Sequence, residues 1–133
     1  MLMQVFRPVV GAAVFGAAFV LLPLSASAHH GWGGNAAEVT EMTGTVMEEV
    51  SLAGPHATMK LYVDGRAWDI TLAPPARTSA AGLRQGVIPV GETVTVTGNR
   101  NRDANRLEMK TILVTWGEKR FHVYPDRQAL LTR

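Results

Sequence analysis

Four histidines are the side chains in this sequence best suited to chemistry. His29 and His30 are adjacent, His56 follows a Gly-Pro pair, and His122 lies near the C-terminus. Imidazole binds copper, nickel and zinc well. The chain has no cysteine, so disulfides, thiolate metal sites, iron–sulfur clusters and cysteine nucleophiles are excluded. These four histidines are therefore the candidate metal ligands, and copper is the cofactor that they favour.

The first 28 residues have the pattern of a signal peptide. Arg7 precedes an apolar run, Val9–Leu24, and Ala26 and Ala28 supply the A-x-A pattern of a cleavage site. The run is shorter than the roughly 20 residues that a membrane span needs. An uncleaved membrane anchor is the alternative. We expect cleavage after Ala28 and a periplasmic or secreted protein that is not attached to a membrane.

Cleavage after Ala28 would give His29 a free α-amine. The unperturbed pKa of such an amine is about 7.7–8.0, so a metal displaces its proton readily. The amine, the His29 imidazole and one distant imidazole, from His56 or His122, would form the arrangement called a histidine brace. Cleavage one residue earlier would place His30 third, where the amine and two backbone amides bind copper(II) in a plane. Either N-terminus predicts copper(II) binding.

Two further features are candidates for binding a ligand or a periplasmic protein partner. Trp32 lies among three glycines and would either plug the end of a barrel or form an aromatic lip beside the histidines. Arg100, Arg102 and Arg106 lie in a polar stretch, which is either a solvated hairpin tip or a binding loop. Nucleic-acid binding is not expected, because it would need aromatic stacking residues beside the basic ones.

Composition and motifs favour a binding module over an enzyme. The sequence has 13 basic and 11 acidic residues, is 47% hydrophobic and 18% charged, and so is typical of a folded domain. It contains no G-x-S-x-G, no H-E-x-x-H, no phosphate loop and no G-x-G-x-x-G. We therefore expect a non-enzymatic module that binds copper(II), or a metal-free module that binds through its loops. A histidine-brace copper enzyme is a further alternative.

A β-hairpin is the most strongly patterned element that could position these residues. Two alternating segments flank Asp64-Gly65, a dipeptide typical of two-residue hairpin turns. This turn places Leu61 opposite Trp68 on an apolar face. It places Lys60 opposite Asp69 on the other face, where opposite charges stabilise a cross-strand pair.

The remaining elements predict a mainly β protein, a small OB-like β-barrel. The strand–strand–strand–helix–strand–strand order, with a short final strand, is that of a five-stranded OB barrel. Another small β-barrel or roll is the alternative. The predicted domains are the signal peptide (1–28), a His/Gly-rich tail (29–38), the barrel (39–125) and a frayed C-terminal tail (126–133). Within the barrel we predict strands at 39–50, 93–97 and 107–116, a helix at 76–85 and a loop at 98–105.

Three short motifs together resemble one protein family. They are His29-His30-Gly31-Trp32, Gly54-Pro55-His56 and Ala73-Pro74-Pro75-Ala76-Arg77. This combination resembles domain of unknown function 6152, a family of small exported bacterial proteins, from His29 to about Val123. The family pattern has an aromatic-rich stretch after the first motif, where this chain has Gly33-Gly34-Asn35. It has Asn-Pro-His-Gly at the second, where this chain has Gly54-Pro55-His56-Ala57. The resemblance implies export and a small β-rich domain, and it implies no activity.

Overall fold

The computed structural model describes residues 31–132, so the predicted signal peptide, His29 and His30 lie outside the described residues. No helix within residues 31–132 is long and apolar enough to cross a bilayer. The described elements are β1 (Thr40–Ser51), β2 (Thr58–Val63), β3 (Arg66–Thr71), α1 (Pro75–Ala80), β4 (Thr93–Arg100), β5 (Glu108–Trp116), β6 (Lys119–His122) and a C-terminal 3₁₀ helix (Pro125–Thr132).

Five of these strands close into a barrel. β1 pairs antiparallel with β2 and with β4, β2 pairs with β3, and β4 pairs with β5. A parallel pairing of β3 with β5, from Asp69 opposite Glu108 to Thr71 opposite Lys110, completes the circle. β6 adds to β5 as a short sixth strand. The predicted OB-like barrel is confirmed, and closure leaves no edge for another chain to pair with among the five barrel strands.

The predicted hairpin is confirmed in its register. Asp64 and Gly65 have φ angles of 47° and 78°, as a type I′ turn requires at both central positions. Leu61 pairs with the buried Trp68, and Lys60 pairs with Asp69. Since the turn sets the register, the alternation of the two strands places one whole face in the core.

The core fills the barrel interior with alternating strand residues. Leu83 and Ile88, from the segment between α1 and β4, are also fully buried. Gly44 lies where β1 passes close to β2, because a Cβ there would stand 2.6 Å from the Tyr62 carbonyl oxygen. The largest fully buried strand side chains are Val46, Val50, Leu61, Ile70, Val94, Val96, Met109, Ile112 and Val114.

The helix is shorter than predicted, because a glycine stops it early. α1 ends at Ala80 rather than at residue 85. Gly82 has a φ of 99° and donates to the Ser79 carbonyl, while the Leu83 N–H donates to the Thr78 carbonyl. This is the Schellman arrangement that closes many helices. It turns Leu83 into the core.

Two other boundaries differ from the prediction. β4 continues to Arg100 instead of ending at Thr97, because the polar residues that follow still pair with β5. The predicted frayed tail is wrong for its described part, residues 126–132. It forms a 3₁₀ helix in which Leu130 and Leu131 pack, partly buried, against the core.

Candidate functional site

The segment that follows the N-terminal histidines lies back along the barrel. The Ala36 N–H donates to the Arg100 carbonyl at 2.8 Å, and the Arg102 N–H donates to the Gly34 carbonyl at 3.0 Å. Asn35 forms an isolated bridge with Asn101. Near the start of β5, Lys110 Nζ lies 3.2 Å from the Gly31 carbonyl oxygen. The first described residue is therefore held beside the start of β5.

Trp32 packs onto the end of the barrel and remains partly exposed. Its ring meets the Tyr124 ring edge-on, with 5.1 Å between the ring centroids and an angle of 69° between the ring planes. Tyr124 is buried and follows β6. Because Tyr124 directly precedes the 3₁₀ helix, the N-terminal and C-terminal segments meet at this aromatic pair.

Three cations surround the two rings. Lys110 Nζ lies 4.7 Å from the Trp32 centroid, and the Arg127 guanidinium carbon lies 4.1 Å from it. The Arg77 guanidinium carbon lies 5.7 Å from the Tyr124 centroid. A π face attracts a cation without neutralising its charge. Asp126, which pairs with Arg77 at 3.3 Å, offsets only part of this positive charge.

Burial makes the charge on Lys110 costly. The residue is buried, and this desolvation lowers the pKa of its amine below the ordinary value of 10.5, with a further lowering from the charge of Arg127. Burial also raises the pKa of Tyr124, while Arg77 and Arg127 oppose that rise. Burial is the largest cause of both shifts, and the positive charge of Arg127 adds to the lowering of the Lys110 pKa but opposes the rise of the Tyr124 pKa.

A pocket of about 350 Å³ opens beside this cluster. We call it the motif pocket, because each of the three sequence motifs contributes to its wall. Its lining is Trp32 from the first motif, Pro55 and His56 from the second, Pro74 and Arg77 from the third, with Lys110 and Tyr124. Three motifs that are separate in the sequence therefore line one pocket.

Backbone pairing brings the second and third motifs together. The Ala57 N–H donates to the Ala73 carbonyl at 2.9 Å, and the Leu72 N–H donates to the Ala57 carbonyl at 2.8 Å. Thr78 in α1 donates its hydroxyl to the same Ala73 carbonyl. His56 therefore stands beside Pro74 at the start of the helix.

The histidines do not all converge in the described structure. His56 lines the motif pocket. His122 lies on β6, pairs with Leu113 of β5, and does not line the motif pocket. His122 Nδ1 is buried without a hydrogen-bond partner among the described residues. Within residues 31–132, no group of three or more His, Asp or Glu side chains could hold a metal ion. A site built on His29 or His30 would lie outside the described residues.

Arg100, Arg102 and Arg106 line a second pocket, of about 420 Å³. Arg66, at the start of β3, joins them there, and we call this the arginine pocket. The sequence analysis missed Arg66, as it missed Lys110, Tyr124 and Arg127 in the motif pocket region, and it noted Arg77 only as part of the third motif. No local signal marks the missed residues, because only barrel closure and the packing of Trp32 against Tyr124 bring them together.

Comparison with known proteins supplies a family and no activity. No curated protein matches the sequence. A family model described as "Family of unknown function (DUF6152)" matches residues 18–110. The matched stretch includes Trp32, His56, Arg77 and Lys110, and ends before Tyr124. This chain belongs to DUF6152, a family of unknown function.

Proposed function

We propose that this protein is an exported, non-enzymatic binding module that holds a small organic anion in the motif pocket. The observation that carries the proposal is the set of cations, Lys110, Arg77 and Arg127, held against the rings of Trp32 and Tyr124 beside the pocket. Export rests on the predicted signal peptide. The residues lining the pocket supply binding groups, so the proposal assigns no reaction.

Shape and charge together define the ligand class. The volume falls at the lower end of the range for small-molecule sites. Trp32, Pro55 and Pro74 offer apolar walls, while Lys110 and Arg77 offer charged donors. A small apolar molecule that carries a carboxylate or sulfonate would fit this lining. Its anionic group would contact the charged donors, and its apolar part would pack against the apolar walls.

Lys110→Met should weaken the binding of an anionic aromatic probe, anilinonaphthalene sulfonate, by about tenfold or more, since hydrogen bonds to charged groups contribute about 1.5–3 kcal/mol. Methionine retains the apolar stem and removes the charge. Affinity is measured by fluorescence titration. Binding should also weaken as the pH rises through the lowered pKa of Lys110, because only the protonated amine attracts the anion, and Lys110→Met should lose this pH dependence.

Lys119→Met is the matched control. Lys119 also lies over a tryptophan, 5.2 Å from the Trp116 centroid, but it is not part of this lining, so its replacement should leave the affinity unchanged. Circular dichroism confirms that each variant is folded. Equal affinity of folded Lys110→Met and the parent protein would refute the motif pocket as the binding site.

Copper(II) is the second candidate ligand, and one observation favours it. Gly31 and His56 line the same cleft, of about 300 Å³, next to the motif pocket. His30 is bonded to Gly31, and consecutive Cα atoms are about 3.8 Å apart. Cleavage after Ala28 would put the free amine two residues before Gly31 in the sequence, the short separation that a histidine brace completed by His56 would require. The positive charges of Lys110 and Arg77 oppose a divalent cation, which ranks this candidate second.

One copper(II) equivalent should bind the exported protein, after its intact mass has confirmed that it begins at His29. An additional N-terminal Met should abolish this binding, because it blocks the free amine. His56→Ala should weaken the brace and His122→Ala should not. His30→Ala should abolish copper(II) binding only if the mature chain begins at Ala28, where His30 is the third residue. Binding should fall below about pH 6.5, where protons compete for the nitrogens. Equal weak binding with and without the additional Met would reject copper.

A further inference from the structure

The arginine pocket gathers four guanidinium groups from separate parts of the chain. Arg66 begins β3, Arg100 ends β4, and Arg102 and Arg106 lie in the connection between β4 and β5. Trp68 and Leu107 line the same concavity. The parallel pairing of β3 with β5 is what places Arg66 beside the other three. The cluster is therefore a product of barrel closure rather than of one basic loop.

Three of the four side chains are held in place while their charged groups remain accessible. The Arg100 guanidinium lies 5.0 Å from the centroid of the buried Trp68 ring. Arg102 donates Nε–H to the Asn35 carbonyl at 3.1 Å, which leaves its terminal nitrogens for another acceptor. Arg106 contacts Glu108 at 3.6 Å, and its side chain is still 66% exposed. Holding the side chains in advance lowers the entropy cost of binding a ligand.

Acidic groups offset little of this charge. The lining contains no carboxylate. Glu108 pairs with Arg106 and also accepts from Asn101, and Asp103 accepts from the Asn105 N–H within the loop. Within residues 31–132, no ion pair joins Arg66, Arg100 or Arg102 to an acid. At least three guanidinium charges therefore face a common concavity.

We propose that the arginine pocket binds a diphosphate group, either free or as the headgroup of a lipid. The guanidinium fork matches phosphate oxygens in pairs. A single phosphate monoester carries about −1.5 to −2 charge at pH 7. A diphosphate adds a second charged phosphoryl group and more acceptor oxygens, so it matches several arginines, whereas a single carboxylate would not. Trp68 is only 7% exposed, with Arg100 over its ring, so it offers little surface for stacking a nucleobase, which disfavours single-stranded nucleic acid.

Inorganic pyrophosphate should bind the processed protein at one equivalent, measured by isothermal titration calorimetry. Arg66→Gln and Arg102→Gln should each weaken it by about tenfold, since a charged hydrogen bond contributes about 1.5–3 kcal/mol. Arg120→Gln is the matched control, because Arg120 is an exposed arginine on β6, and it should leave the affinity unchanged. Lys110→Met should also leave the affinity for pyrophosphate unchanged, so the experiment tests the arginine pocket independently of the motif pocket.

Vesicles distinguish the two sources of the diphosphate. Phosphatidylcholine vesicles carrying a lipid with a diphosphate headgroup should retain the protein, and pure phosphatidylcholine vesicles should not, if the ligand is a headgroup. Binding of pyrophosphate without retention on either vesicle would assign the pocket to a free diphosphate. Failure of both probes would overturn the proposal. Binding of a single-stranded oligonucleotide without binding of pyrophosphate would overturn it as well.

Discussion

Replacing Gly98 with alanine should lower the free energy of unfolding by more than about 3 kcal/mol or prevent folding, since overpacking costs about 1–3 kcal/mol even where side chains can move. Gly98 lies in β4, opposite Thr111 of β5, at a break in the register. A Cβ there would overlap the Lys110 carbonyl oxygen and stand 2.8 Å from the Thr111 Cα. Both obstacles are backbone atoms, so no rotamer change relieves the clash.

Gly34→Ala provides the matched comparison. An added Cβ at Gly34 meets no atom within 4 Å, and its φ is not positive. Denaturant melts should show this variant close to the parent protein. If Gly98→Ala unfolded at the same denaturant concentration as Gly34→Ala, this result would contradict the close backbone contact between β4 and β5 at Gly98.

Trp68→Ala should cost about 3–5 kcal/mol of stability, the range for removing a large aromatic side chain from a core. Trp68 is 7% exposed and pairs with the fully buried Leu61. Its ring also supports the Arg100 guanidinium. The variant should therefore combine a large loss of stability with weaker pyrophosphate binding, as measured by denaturant melts and by calorimetry on the folded fraction.

Lys60→Ala, on the other face of the same hairpin, is the control. Lys60 lies 3.5 Å from both Glu48 and Asp69, and these charges raise the pKa of its amine. Exposed ion pairs of this kind contribute little to stability. Its replacement should shift the melt far less than Trp68→Ala does. The opposite ranking would mean that the faces of the hairpin are assigned the wrong way round.

One short segment supplies walls to both proposed sites. Trp32 lines the motif pocket, and Ala36 lines the arginine pocket. Between them Asn35 donates to the Asn99 carbonyl at 2.9 Å, and Asn99 in turn lies 3.0 Å from the Ala36 carbonyl. A segment rich in glycine and alanine therefore becomes a structural part of both sites, because side-chain amides bond to its backbone carbonyls.

The sequence by itself determined the hairpin, the order of the strands and the barrel class. Alternation of apolar residues is a local property, and Asp64-Gly65 strongly favours a two-residue turn, so the pairing of Leu61 with Trp68 follows without knowledge of distant residues. The sequence also identified His56, Trp32 and three arginines as candidates. It misplaced the end of α1 because Gly82 and Gly86 are both suitable stops, and only packing of Leu83 in the core selects the first.

Only the tertiary structure decided which residues share a site. Arg66 joins the other arginines, and Lys110 joins Trp32 and Tyr124, through contacts between residues far apart in the chain. Lys110 is buried between Met109 and Thr111 in β5, and it belongs to no motif that the sequence offered. Its position follows from the parallel pairing with Thr71 and from the packing of Trp32 against Tyr124. Such contacts depend on closure of the whole barrel, and a pattern read along the chain does not contain them.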